Sequence, residues 1–213
     1  MSQNSTSQNN TPILLAPAQK HQACDVLAAA FQEDPMYKQI FPDPDERAKS
    51  LRLLWDAVVG YGLIYGEVYT TPSVNGVACW LSPGNTEVNL WRLFRTGFAL
   101  QRAVTRFSKD GRKQFLDGLG HLDKIHKQIM GDKPHWYLWV LGVAPDSQGQ
   151  GIGGQLIQPV LACTDKEQIA CYLETETERN VAFYKKRGFK VVSEGNVPGY
   201  DLKLWTMLRE PLT

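Results

Sequence analysis

The run Trp136-Tyr137-Leu138-Trp139-Val140-Leu141-Gly142-Val143-Ala144-Pro145-Asp146-Ser147-Gln148-Gly149-Gln150-Gly151-Ile152-Gly153-Gly154 decides the fold. From Trp136 to Val143 it is almost continuously apolar, which predicts a central strand covered on both faces. A glycine-rich turn follows, and a helix is expected from about Gly151 to Lys166. The first N–H groups of a helix have no partner inside it, and the helix dipole favours negative charge beside them. Glycines let the backbone approach a phosphate closely and take positive φ. Strand, turn and helix therefore form an anion cradle suited to a pyrophosphate. The alternative is a tight strand–helix turn that holds nothing.

Outward from this run, strands alternate with helices. Ala170–Glu174 reads as a strand and Glu178–Arg187 as a helix closed by Gly188. Phe189–Val192 and Leu202–Leu208 read as further strands. Toward the N-terminus, Ile13–Leu15, Gly66–Thr70 and Gly76–Leu81 are expected strands, the last two joined as a hairpin on the Asn75-Gly76 signal. Helices are expected over Ala18–Phe31, ended by Asp34-Pro35, and over Asp45–Tyr61. The pattern predicts a mixed α/β (α+β) domain with a central sheet of about six to seven strands and helices on both faces. The expected organisation is a disordered polar tail over residues 1–11 and a single domain over 12–213. A helical insertion at 86–130 precedes the fourth strand and is broken near Lys109-Asp110-Gly111.

Composition narrows the function classes. The 213 residues carry 23 Lys+Arg and 22 Asp+Glu, a net charge of +1, which argues against a nucleic-acid partner. No stretch of about 18 apolar residues is present, so no membrane partner is expected. Cys24, Cys79, Cys163 and Cys171 include no C-x-x-C pair and follow no signal-peptide pattern, which predicts a cytoplasmic protein with free, mostly buried thiols. His121 and His126, five apart, have the wrong helical spacing for a shared metal, and no metal is expected.

The letters Gly149-x-Gly151-x-x-Gly154 also fit a dinucleotide fingerprint, but the turn comes late in the chain and no repeated strand–helix half follows it. A P-loop needs Lys after its last glycine, and Gln155 stands there. The downstream segment discriminates. Gln148-x-x-Gly151-x-Gly153, followed by Asn180, Phe183-Tyr184 and Gly188-Phe189, resembles the two signatures of the GNAT superfamily of N-acetyltransferases. Leu173-Glu174-Thr175, Val77-Ala78-x-Trp80 and the ending Trp205-x-Met207-x-Arg209-x-Pro211 look like its puromycin N-acetyltransferase-like subgroup. Most of that subgroup has no established acceptor, so the antibiotic is not inferred as substrate.

The resemblance implies an acetyl-CoA-dependent N-acetyltransferase in which the amine of a small molecule attacks the thioester directly in a ternary complex. It implies acetyl-CoA as co-substrate, with pantetheine along Leu141, Gly142 and Val143. Its pyrophosphate would rest on Gln148, Gly149, Gln150, Gly151, Ile152, Gly153 and Gly154. It further implies cofactor contacts from Asn180, Phe183 and Tyr184, with Asn180 alternatively capping its helix. Tyr184 is expected as the general acid, because a phenol is protonated at neutral pH and can give a proton to the leaving thiolate. It can equally be a core aromatic.

Glu174, at the end of the fifth strand, is the candidate base, or else a structural carboxylate. His135 is a second candidate, or a surface loop histidine. Lys185-Lys186-Arg187 could meet the CoA 3′-phosphate but reads first as a solvated helix end. The insertion, together with Phe31, Asp34 and Tyr37, is expected to shape the acceptor pocket, and Trp91, Phe94 and Phe98 suggest an apolar or aromatic acceptor. The competing classes are a non-catalytic acyl-CoA-binding sensor or regulatory module, and an interaction module that binds no CoA. The chain is expected as a monomer or homodimer.

Overall fold

The computed structural model describes residues 10–87, 92, 102–103 and 105–212. Trp91, Phe94, Phe98 and nearly all of the N-terminal tail lie outside the described residues. Seven strands form one sheet in the order β1-β2-β3-β4-β5-β7-β6. They are β1 (Ile13–Leu14), β2 (Gly66–Thr70), β3 (Gly76–Leu81), β4 (His135–Val143), β5 (Ala170–Thr175), β6 (Lys190–Asn196) and β7 (Lys203–Arg209). The described helices are α1 (Lys20–Ala30), α2 (Pro35–Ile40), α3 (Pro44–Tyr65), α4 (Lys109–Met130), α5 (Ile152–Glu167) and α6 (Glu178–Lys185). The mixed sheet with helices on both faces is as the sequence predicts.

Local chemistry sets most boundaries. Asp43, Ser108 and Thr177 each accept a backbone N–H from the first turn of α3, α4 and α6. Asp34-Pro35 ends the region of α1 as expected, but it also starts α2. The Asp34 carboxylate accepts from the N–H groups of Met36 and Tyr37, and Pro35 fills the first helical position. That short helix is absent from the sequence reading. The hairpin turn differs too: Val74, not the Asn75-Gly76 pair, takes positive φ, and Gly76 already lies in β3. Gly76 is needed for another reason, because a Cβ there would stand 2.8 Å from Leu156 of α5.

Alternation distributes the strands between two cores. Val77 and Cys79 of β3 face Leu27 of α1 and Leu51 and Trp55 of α3, with Phe115 of α4 on the same side. Ala78 and Trp80 face the opposite core, which contains Ile152 and Leu156 of α5 and Val181 and Tyr184 of α6. A β-bulge interrupts β4, where Cys79 pairs with Val140 but Trp80 pairs with Leu138. Trp139 is the extra residue, and the alternation changes phase there. Trp136 and Leu138 face the α5 side, Val140 faces the α1 side, and Leu141 returns to the α5 side.

β4 and β5 run parallel but pair only from His135↔Ala170 to Tyr137↔Tyr172. Beyond Tyr137, β4 stays with β3 while β5 continues on β7, and a cleft opens between them. Helix α1 rests on β4 at the cleft, over Gly142. A Cβ at Gly142 would stand 2.7 Å from Leu27 Cδ2 and 3.2 Å from both Ala30 and Phe31. Gly142→Ala is therefore expected to lower stability by about 1–3 kcal/mol through overpacking, measured by urea unfolding.

Candidate active site

The glycine turn lies where the sequence places it. Gly149 and Gly151 have φ of +78° and +81°, a region that L side chains rarely adopt. No atom crowds a Cβ at either position, so conformation and not packing requires the glycines. Gly151 precedes α5 without a side-chain cap, which leaves the first N–H groups of Ile152 and Gly153 to an outside acceptor. The Gln148 side chain turns back to donate to the Val143 carbonyl at 3.2 Å, fixing the turn to the strand end. A Cβ at Gly153 would come within ordinary contact of Phe183, Leu141 and Val143, so the turn, β4 and α6 meet at one place.

Arg187 belongs to this cradle, contrary to its reading as part of a solvated helix end. A Cβ at Gly154 would overlap its guanidinium, so that glycine makes room for the arginine. The guanidinium carbon stands 3.6 Å from the centre of the Phe183 ring, and Nη1 donates to the Phe183 carbonyl at 2.7 Å. Arg209 Nε donates to the Arg187 carbonyl at 3.1 Å. A held cation therefore stands beside the exposed N–H groups of α5 and adds to the dipole's attraction for an anion.

On the α1 side of the cleft is a cavity of about 380 Å³. Its walls include Phe31, Tyr37, Trp55 and Trp139, with Phe115 and Leu122 of α4. The Phe31 and Trp55 rings meet at a tilt of 43° with centres 4.7 Å apart, and Tyr37 meets both edge-on. Of the residues expected to shape a pocket with the insertion, Phe31 and Tyr37 line this cavity together with α4, whereas Asp34 is not among its lining residues. Glu174, Glu176, Asn180 and Tyr184 line the same cavity.

Glu174 accepts a hydrogen bond from the Tyr172 hydroxyl at 2.7 Å. Burial dominates its environment and raises its carboxyl to about 7, against the opposing effect of the Tyr172 and Tyr137 hydroxyls. Tyr184 is buried between Phe183 and Phe189, whose rings it meets edge-on at 5.0 and 5.7 Å. Burial pushes its phenol up, which keeps it protonated across the neutral range. Asn180 is not the helix cap: its own N–H donates to Thr177 Oγ1 at 3.2 Å. The Gly188-Phe189 pair closes α6, with Gly188 at φ +87° and the Phe189 N–H reaching the Tyr184 carbonyl at 3.2 Å.

His135 is not a surface histidine. It begins β4, is buried, and its Nε2 stands 2.6 Å from His126 Nε2 of α4. Its Nδ1 lies 2.7 Å from the Lys133 carbonyl and so carries a proton, leaving His135 Nε2 to accept from His126. Burial lowers both imidazoles, His126 to about 4. His126 stacks on Tyr172 at 4.4 Å and lines the cavity, whereas His135 stands behind it. The pair thus supports the tyrosine that holds Glu174. Sequence spacing did not single it out, because the two residues come from different elements.

The sequence reading also omitted Glu176. It lies two residues beyond Glu174, just past the end of β5, and burial with the negative charges of Asp34 and Glu174 raises it to about 8. The parity of the strand, which sends Glu174 and Glu176 the same way, was the available signal. Among the described residues, no group of three or more His, Cys, Asp or Glu is arranged to hold a metal ion. Among them, too, no helix is long and apolar enough to cross a membrane. Cys24, Cys79 and Cys171 are buried free thiols, and Cys163 is half-buried.

A split between β4 and β5 thus has an uncapped, glycine-led helix N-terminus on one side and an acid-bearing cavity on the other. Residues 116–191 match the acetyltransferase (GNAT) domain family. The matched segment runs from within α4 to the start of β6 and is similar to GNAT acetyltransferase domains.

Its relatives include an uncharacterized N-acetyltransferase of Schizosaccharomyces pombe, 27% identical over 198 residues that cover 90% of this chain and 79% of the relative. Mycothiol acetyltransferase of Propionibacterium freudenreichii is 35% identical over 83 residues, 36% of this chain and 27% of that protein. Among solved structures, histone acetyltransferase HPA2 and related acetyltransferase from Corynebacterium glutamicum superposes with TM-score 0.63 at 21% identity, covering 95% of this chain and 97% of that one. Arylalkylamine N-acetyltransferase 2 from Aedes aegypti does so with TM-score 0.57 at 15% identity, covering 93% and 97%. These superpositions bear on the fold.

Proposed function

We propose that the protein transfers an acetyl group from acetyl-CoA to the amine of a small molecule, by direct attack in a ternary complex, within a single domain over residues 12–213. The observation that carries this reading is the cleft between β4 and β5, with the glycine turn at one end and the cavity holding Glu174 and Tyr184 beside it. The backbone at Leu141–Val143, released from β5, would pair with pantetheine amides. Gln148 to Gly154 and Arg187 would hold the pyrophosphate, and Asn180 and Phe183 would flank the arm. This assignment keeps every cofactor-binding residue expected from the sequence and adds Arg187.

The chemistry needs two proton movements. The acceptor must lose a proton so that its nitrogen lone pair can form the C–N bond, and Glu174 takes that proton. The C–S bond then breaks, and Tyr184 gives its proton to the departing thiolate. A carboxyl raised toward neutrality and a phenol held protonated suit these two roles. The likeness to the puromycin N-acetyltransferase-like subgroup remains part of this proposal without its antibiotic acceptor. Four free thiols support a reducing compartment, which we take to be the cytoplasm.

Thermal unfolding with and without acetyl-CoA tests the donor. At about 100 times Kd the ligand should stabilise the native state by about 2.7 kcal/mol. An unchanged midpoint at saturating acetyl-CoA would overturn the reading. Binding without thiol release across a broad amine panel would favour the acyl-CoA sensor instead.

A further inference from the structure

The cavity is strongly asymmetric in charge. Among its described lining residues there are three carboxylates, Asp123, Glu174 and Glu176, and no Lys or Arg. Asp123 is already engaged by Lys127 at 3.0 Å, and Glu174 by the Tyr172 hydroxyl. Glu176 makes no hydrogen bond or ion pair with any described residue, although it lines the cavity and burial acts on it strongly. The groups that act on it are Asp34 at the start of α2 and Glu174 on β5, both negative, and the phenols of Tyr37 and Tyr200. A carboxylate so placed is costly unless a positive charge joins it. The same cavity is lined by the aromatic rings of Phe31, Tyr37, Trp55 and Trp139, a residue type that packs an aromatic body and attracts a cation. The volume, about 380 Å³, falls in the range of small-molecule pockets, roughly 300–1,000 Å³.

We infer that the acceptor is a cationic primary amine on an aromatic body without a carboxylate of its own, and that Glu176, backed by Asp34, receives its ammonium beside Glu174. This inference rests on the acetyl-transfer reading above and specifies its substrate class. The arrangement discriminates by charge as well as shape. An amino acid or acidic peptide would bring a second negative group to a wall whose described residues include three carboxylates and no Lys or Arg to meet it. A polyhydroxylated amine would gain less than an aromatic body from packing on Phe31, Trp55 and Trp139.

The experiment measures thiol release from acetyl-CoA by the full chain with 2-phenylethylamine, L-phenylalanine and glucosamine as acceptors. The expected result is a kcat/KM for 2-phenylethylamine at least about tenfold above either of the others. Glu176→Gln should raise KM for 2-phenylethylamine at least about tenfold while kcat stays within about twofold and KM for acetyl-CoA is unchanged. A merely structural role would not produce that split. Equal or better use of glucosamine or L-phenylalanine overturns the substrate class while leaving acetyl transfer standing. An unchanged KM in a folded Glu176→Gln variant overturns the role of Glu176. The panel on the unaltered protein tests the class even if the variant fails to fold. Absence of acetyl-CoA binding overturns both readings together.

Discussion

Glu174→Gln is expected to lower kcat for acetyl transfer to an amine by about 100-fold, because general-base assistance is lost while size and the Tyr172 contact are kept. The pH dependence gives the sign. Burial raises the carboxyl to about 7, and only the ionised form accepts a proton, so kcat/KM of the unaltered protein should rise with pH through about 7. In the Gln variant that limb should be flat. The same shift has a stability consequence. A carboxyl raised above its unfolded value stabilises the folded chain at low pH, and that contribution is lost as pH rises through about 7. At pH 8 the Gln variant should therefore unfold at a higher temperature than the parent. Lower activity with greater stability would exclude unfolding as the cause, and an unchanged kcat would remove Glu174 from the reaction.

The second large effect is expected at Tyr184. Tyr184→Phe should lower kcat by about 100-fold with the dissociation constant for acetyl-CoA nearly unchanged. The ring is clasped edge-on by Phe183 and Phe189, and phenylalanine preserves that packing. What disappears is the proton donor, which burial holds protonated well above neutral pH. Acceptors should feel the loss equally, because the thiolate and not the amine receives that proton. Stopped turnover with intact donor binding is the signature to look for. Normal turnover would assign Tyr184 to the core alone.

These residues differ in how far the sequence disclosed them. The donor half was readable because its constraints are local. Gly149 and Gly151 need positive φ, the apolar run of β4 needs cover on both faces, and Gly188-Phe189 close α6 by a short-range contact. The acceptor half depends on elements that meet only in three dimensions. His126 and His135 form their pair between α4 and β4, and Arg187 finds its place through the missing side chain of Gly154. The bulge at Trp139 was hidden for a different reason: in a strand apolar on both faces, a change of phase leaves no trace in the pattern. Asp34-Pro35 was ambiguous because the same pair can stop one helix and start another. Glu176 looks in the sequence like one acidic residue in a charged stretch, and only the fold shows it lining a cavity beside Glu174.

The short pairing between β4 and β5 gives the sheet an interior pair of edges. Mechanically it is two ribbons, one of four strands and one of three, stitched at the three rungs from His135 to Tyr137. Unpaired strand edges ordinarily invite a neighbouring chain to add a strand, which proteins resist by covering them. Here the vulnerable edges face each other inside the molecule, out of reach of a second chain. A slender ligand bearing amide groups would act as a makeshift eighth strand, restoring the ladder while it is bound and leaving it open again on release.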